Sequence, residues 1–154
     1  MAEPIPDPNF IFKFQKAYLK DTSYESPNVP RLLLAEPKPQ QLSAQFNVTH
    51  QAMDDEQRFY EVVLHVRIAS IQDDEVAFVV ELQQAGVFEI AGVAPEKLPI
   101  LLEVRCPEIL LGFARQAVCD LVVKGGFPQL LINPVNFHAL YSQKLGSNER
   151  QAQG

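Results

Sequence analysis

The chain lacks the short patterns that carry catalysis or cofactor binding. It has no CxxC, no HExxH, no GxxxxGK[ST] and no GxGxxG, so the common zinc, phosphate-cradling and dinucleotide sites are not expected. No metal and no cofactor are implied. His50, His65 and His138 are scattered; His65, on the polar face of a strand, and His138, in the last helix, read as solvated surface histidines. Positive charge is short: 13 Lys and Arg stand against 19 Asp and Glu, for a formal net charge of −6. That balance disfavours phosphate backbones and anionic membranes and favours basic or mixed-charge partners. There is no run of about 18 apolar residues, so no membrane span is expected. The start, MAEPIPDPNF, has no positive region and no apolar core, so it does not read as a signal peptide. Cysteine is scarce. Cys106 and Cys119 lie thirteen apart in a helical region, which argues against a local disulfide and fits a reducing, cytoplasmic setting. Cys119 reads as a packed thiol. Cys106, next to Pro107, is the weaker candidate for a reactive thiolate. The pairs Asp54-Asp55 and Asp73-Asp74 fit turns better than a catalytic carboxylate pair, which needs a pocket to split its pKa values.

What is present is alternation, then helical period. With 154 residues the chain is long enough for one core. Residues 1–9, with three prolines, read as a flexible arm; 10–145 as one domain; 146–154 as a disordered polar tail. Four strands share one grammar. Phe10, Phe12, Phe14 and Tyr18 oppose Lys13, Gln15 and Ala17. Leu42, Ala44, Phe46 and Val48 alternate with polar residues. Tyr60, Val62, Leu64, Val66 and Ile68 oppose Glu61, His65 and Arg67. Val76, Phe78, Val80 and Leu82 oppose Val79, Glu81 and Gln83, before a loop, VFEIA, between Gly86 and Gly92. One apolar and one polar face per strand is the mark of an antiparallel sheet covered on one side. From Pro95 the period becomes helical, with a stripe through Leu98, Leu102, Ile109, Phe113, Ala117 and Leu121. Pro107 must kink or split that helix, and Gly125-Gly126 ends it. Asn133-Pro134 resembles a cap with proline at the first helical position, opening a last helix that runs to Gly146. The fold expected is α+β: a four-stranded antiparallel sheet with one face covered by two C-terminal helices, one long and kinked, one shorter.

Two connections are unusually apolar. Residues 27–39, PNVPRLLLAEPKP, hold four prolines around three leucines and read as an extended crossover rather than a helix. The connector FPQLLINPVNFHALY, residues 127–141, has two prolines and no carboxylate or lysine. Connections are usually polar and solvated. Either this one is core, tucked under the sheet, or it walls an apolar groove open to solvent, a pattern that marks binding surfaces. Prolines hold such a loop extended by lowering its conformational freedom.

KDTSYESPN, ELQQAGVFEIAGV and GGFPQLLINPVNFHALY resemble the SecB family of bacterial protein-export chaperones, from about Phe10 to Leu145. The resemblance implies the same sheet-and-helix fold and a homotetramer built as a dimer of dimers. It implies an ATP-independent, cytoplasmic, non-enzymatic function. Unfolded precursor polypeptides are held in apolar grooves and delivered to the SecA motor of the Sec translocon, with no nucleic acid and no insertion into the membrane. It also implies that Asp21, Glu25, Val79 and Glu81 dock a basic segment of SecA. Val79 and Glu81 lie on the strand face that alternation makes polar, where carboxylates meet a cationic partner. For the groove, the apolar crossover and connector put forward Val29, Leu33, Phe127, Leu130, Phe137 and Tyr141. Aromatic rings suit this task because they offer apolar area without demanding one partner sequence. The chain departs from the family pattern at Gly112-Phe113, where proline-tyrosine is frequent, at His138, where an acid is common, and at Tyr24, where phenylalanine is.

Two alternatives stay open: a SecB-like chaperone dedicated to one cytosolic client such as an antitoxin, and a small-molecule-binding or thioesterase-like α+β domain. The second needs convergent polar groups in a closed pocket, and the sequence offers no such set.

Overall fold

The computed structural model describes the backbone of residues 7–153 and the side chains of residues 7–147. Most of the expected N-terminal arm, residues 1–6, lies outside the described residues, as do the side chains of the tail beyond Ser147. Residues 7–9 form a turn in which the Asp7 carboxylate accepts the Asn9 N–H.

Four long strands, β1 (Ile11–Glu25), β2 (Gln40–Ala52), β3 (Phe59–Gln72) and β4 (Glu75–Ala91), make one antiparallel sheet in the order β1-β4-β3-β2. β2, β3 and the first half of β4 alternate apolar with largely polar residues, which favours a sheet with one covered face. Opposed pairs such as Tyr60–Phe88, Val66–Leu82 and Ile68–Val80 share that covered face, and their side chains are buried. The β3–β4 turn has two residues, Asp73 and Asp74, both at positive φ, the geometry that matches strand twist in a tight hairpin. At the β2–β3 turn the Asp54 carboxylate accepts the N–H groups of Arg58 and Phe59. Both acid pairs are turn residues.

Two readings of the strands need correction. VFEIA is not a loop: β4 runs through it, and Gly86 is there because α3, described below, lies close. A Cβ on Gly86 would sit 2.8 Å from Leu110. In β1 the alternation does not persist. The pairing with β4 slips by one residue at Gln15 and again at Lys20. A one-residue slip moves every later side chain to the other face. Phe12 and Phe14 therefore pack over Phe88 on the covered face, while Tyr18 turns to the open face.

The crossover is not wholly extended. It contains one helical turn, α1 (Arg31–Leu34), because the only proline-free run between Pro30 and Pro37 lets the Leu33, Leu34 and Ala35 N–H groups close back on Pro30 and Arg31. The long helical region runs from α2 (Leu98–Ile100) through a π-helical turn (Leu101–Arg105) into α3 (Cys106–Lys124). Pro107 explains the π turn. It lacks an N–H and clashes with the carbonyl four residues back, so the chain takes an extra residue just before it and the Cys106 N–H reaches Leu101. α3 ends in a glycine cap: the Phe127 N–H bonds Val122, the Gly126 N–H bonds Val123, and Gly126 has φ of +92°. The last helix, α4 (Phe137–Gln153), starts three residues later than Asn133-Pro134 suggests. Asn136 is the cap, its side chain accepting the Ala139 N–H at 3.0 Å. α4 also runs past Gly146, since a single glycine costs a helix only about 1 kcal/mol.

The core lies between the covered face and α3, where Phe78, Phe88, Leu64, Ile68, Val80, Leu110 and Val118 are all but fully buried. Cys106 belongs to it. Burial pushes its thiol up to about 12, so it is an inert packing group and not a reactive thiolate.

Candidate functional site

The open face of the sheet gathers the acids. Because of the second slip in β1, Asp21 stands opposite Gln83, Ser23 opposite Glu81 and Glu25 opposite Val79. Without it, Asp21 and Glu25 would turn into the core. Asp21 and Glu25 are thus diagonal neighbours of Glu81 on one face, within reach of long side chains. Asp21, Glu25, Val79 and Glu81 form one patch across two strands, and its three acids are exposed. On its far side Glu81 faces Arg67 of β3, whose Nε donates to Oε1 at 2.8 Å. An open hollow of about 370 Å³ runs from Asp21 past Glu81, Gln83 and Arg67 to Gln45 and Asn47.

Beside the patch the open face is tied down by its own network. The Tyr18 hydroxyl donates to Glu61 at 2.6 Å, and Lys20 reaches the same carboxylate at 3.0 Å. The Tyr18 bond is the main reason Glu61 is held below the usual carboxylate range, with Lys20 adding to it; burial and the carboxylate push Tyr18 up to about 12. His65 is half-buried here, 2.9 Å from the Thr49 hydroxyl, and burial lowers its pKa.

The apolar site lies on the other side. The crossover, the start of the connector and the ends of β2 and β3 enclose a hollow of about 480 Å³ walled by Leu32, Leu33, Phe78, Phe127 and Leu130. Its floor is aromatic, with Phe78 and Phe127 ring centres 5.3 Å apart. Its wall reaches the surface through Leu33, 40% exposed. Of the six groove candidates, Leu33, Phe127 and Leu130 line this hollow. Val29 and Tyr141 pack against the core without lining it. Phe137 is a correction: as the first residue of α4 it drops into the core, 1% exposed, and offers no surface. The connector is therefore both things the sequence allowed. Phe127 and Phe137 anchor it, Leu130, Ile132 and Val135 lean on the core, and Leu131 is 83% exposed. Arg115 holds its middle through the Ile132 carbonyl at 3.1 Å.

One polar cluster was missed. Glu103, on the π turn among apolar neighbours, is buried. Lys144 of α4 bonds its two oxygens at 3.0 and 3.3 Å and the Val48 carbonyl of β2 at 2.9 Å, while His50 Nε2 lies 3.2 Å from Oε1. Burial pushes the Glu103 carboxyl up, but the His50 and Lys144 bonds and charges together outweigh it and hold it low. A glutamate inside an apolar helical stripe was the available signal. A further polar group is left over: the Tyr24 hydroxyl is buried against Gly125 and has no hydrogen-bond partner among the described residues.

The family described as preprotein translocase subunit SecB matches residues 6–148. A protein-export protein SecB from Hahella chejuensis is 43% identical over 141 residues, covering 92% of this chain and 87% of that one. One from Thioalkalivibrio sulfidiphilus is 45% identical over 141 residues, covering 92% and 83%. Among solved structures, a SecB-like chaperone from Mycobacterium tuberculosis, in complex with a peptide from an antitoxin, superposes with a TM-score of 0.68 at 15% identity, covering 80% of this chain and 90% of that one. That last likeness is one of fold.

Proposed function

The chain belongs to the SecB family, and on that premise we propose that it is an ATP-independent export chaperone of the bacterial cytoplasm. It holds unfolded precursor proteins in an apolar groove and hands them to the SecA motor. It works by binding and release, not by catalysis. The observation that carries this reading is the hollow of Leu32, Leu33, Phe78, Phe127 and Leu130, kept open by proline-stiffened chain on both sides. Each contact made there is small. At about 25 cal/mol per Å² the burial outweighs the ordering of a client only when the contact is long. Unfolded chains meet that condition and compact folded ones do not.

Asp21, Glu25, Val79 and Glu81 serve as the docking patch for a basic segment of SecA. Support comes from their joint exposure on the open face, away from the hollow, so that client and motor bind without competing. The retained acids favour export over a client-dedicated chaperone. The homotetramer, a dimer of dimers, is supported by apolar side chains left uncovered just before and along β1 and on α3, among them Phe10, Phe14, Leu19 and Phe113.

Calorimetric titration with an unfolded secretory precursor, without ATP, tests the chaperone reading. Binding of the unfolded chain and none of the same protein folded is the expected result; no binding to either overturns it. Glu81→Lys is expected to abolish SecA binding and spare the client. Sedimentation at micromolar concentration is expected to give a tetramer, and a stable monomer removes that assembly.

A further inference from the structure

The docking patch contains its own competitor. Asp21, Glu25 and Glu81 are the patch carboxylates, and among the described residues only Glu81 has a cation on it, the Arg67 guanidinium. Lys20, the next cation along the face, is held by Glu61. Arg67 and Glu81 face each other directly across β3 and β4, and both are about half exposed, at 46% and 55%. The contact is a single bond through Nε to one oxygen, not the two-pronged fork that makes arginine–carboxylate pairs strong. It is screened by solvent and readily exchanged for another cation.

We propose that Arg67 is a specificity-determining residue of this patch: it occupies Glu81 until a basic partner segment displaces it. This rests on the reading of the patch as a docking site. Arg67 lowers the affinity for basic segments in general, because any of them must first take Glu81 from a tethered rival. It also selects among them. A segment with a lysine or arginine opposite Glu81 replaces one ion pair by another, whereas a segment whose cations reach only Asp21 and Glu25 leaves the guanidinium in place beside its own charges.

The test is binding of SecA, and separately of a decalysine peptide, to the full chain and its variants, by calorimetry at several salt concentrations. Arg67→Gln is expected to tighten both by about threefold at low salt, with a steeper loss of affinity as salt rises. Glu81→Gln is expected to weaken both. In the double variant the Arg67→Gln gain is expected to vanish, because the rival has nothing left to occupy. If Glu81→Gln binds like the unaltered chain, the docking reading itself falls. If Glu81→Gln weakens binding but Arg67→Gln gains nothing, docking stands and the competitor is overturned. If the gain persists in the double variant, Arg67 acts through the general field and not through Glu81, which also overturns it. Unchanged sedimentation and thermal midpoints for all variants confirm that binding alone is being read.

Discussion

Two ion pairs in this molecule have nearly the same chemistry and opposite characters. On the open face Arg67 meets Glu81 across two strands, with both side chains half in water. Behind the sheet Lys144 meets Glu103 with the carboxylate only 9% exposed, and His50 contacts the same Oε1. The first pair joins two strands already joined by their backbones, so its loss changes little. The second ties three separate elements, α4, the π turn and β2, and Lys144 takes a backbone carbonyl as well. Burial makes the difference. An exposed pair trades water for a weak attraction, while a buried carboxylate stripped of its cation is left with no compensation.

Loss of the cation is expected to separate the two pairs. Lys144→Ala is expected to cost about 2 kcal/mol, below the 3–5 kcal/mol typical of a fully buried pair because the lysine itself is partly exposed. Chemical denaturation measures it, and a cost under about 0.5 kcal/mol makes the clasp no different from a surface pair. Acid acts on the buried pair as well. Glu103 is held below its ordinary value of 4.5 in the folded chain, so between the two values the unfolded state binds more protons. The clasp's stabilisation is then complete above about pH 4.5 and lost as pH falls through the folded value. In Lys144→Ala that acid-side loss is expected to shrink.

A smaller effect is expected at Tyr24. Its buried hydroxyl has no partner among the described residues, so Tyr24→Phe removes a desolvation cost and is expected to stabilise by about 0.5–1 kcal/mol, read as a higher thermal midpoint. Smallest of all, Arg67→Gln is expected to change stability by less than about 0.5 kcal/mol. A larger loss there means that the open-face pair is structural after all.

Much of this was legible beforehand, and unevenly. β3 and β4 are central strands with one clear face each, and Val79, Glu81 and Arg67 stand where alternation puts them. β1 was not, because its two slips depend on what β4 presents and leave no mark in its own pattern. Alternation alone therefore puts Tyr18 on the covered face, whereas it stands on the open one. The patch was located through family resemblance; alternation alone never gathered its four residues. The clasp went unseen because Glu103, His50 and Lys144 are 53 and 41 residues apart in the chain and nothing local joins them. Phe137 sinks into the core because the cap of its helix is Asn136, not Asn133, which makes Phe137 the first helical residue.

Taken alone, the amino-acid sequence determined what has a short, unbroken period or a strong local stop: the greasy faces of β2, of β3 and of β4 up to Gly86, a long helix broken by Pro107, a glycine stop, two apolar loops and an acidic balance. These follow from steric limits on each residue and from the side-chain periods of strand and helix. Only the tertiary structure decided which face the N-terminal acids take, which apolar loop residues wall a hollow and which sink into the core, and which carboxylate stays half in water and which is buried in a clasp. Those outcomes depend on register and burial, and both are set by the partner across the gap.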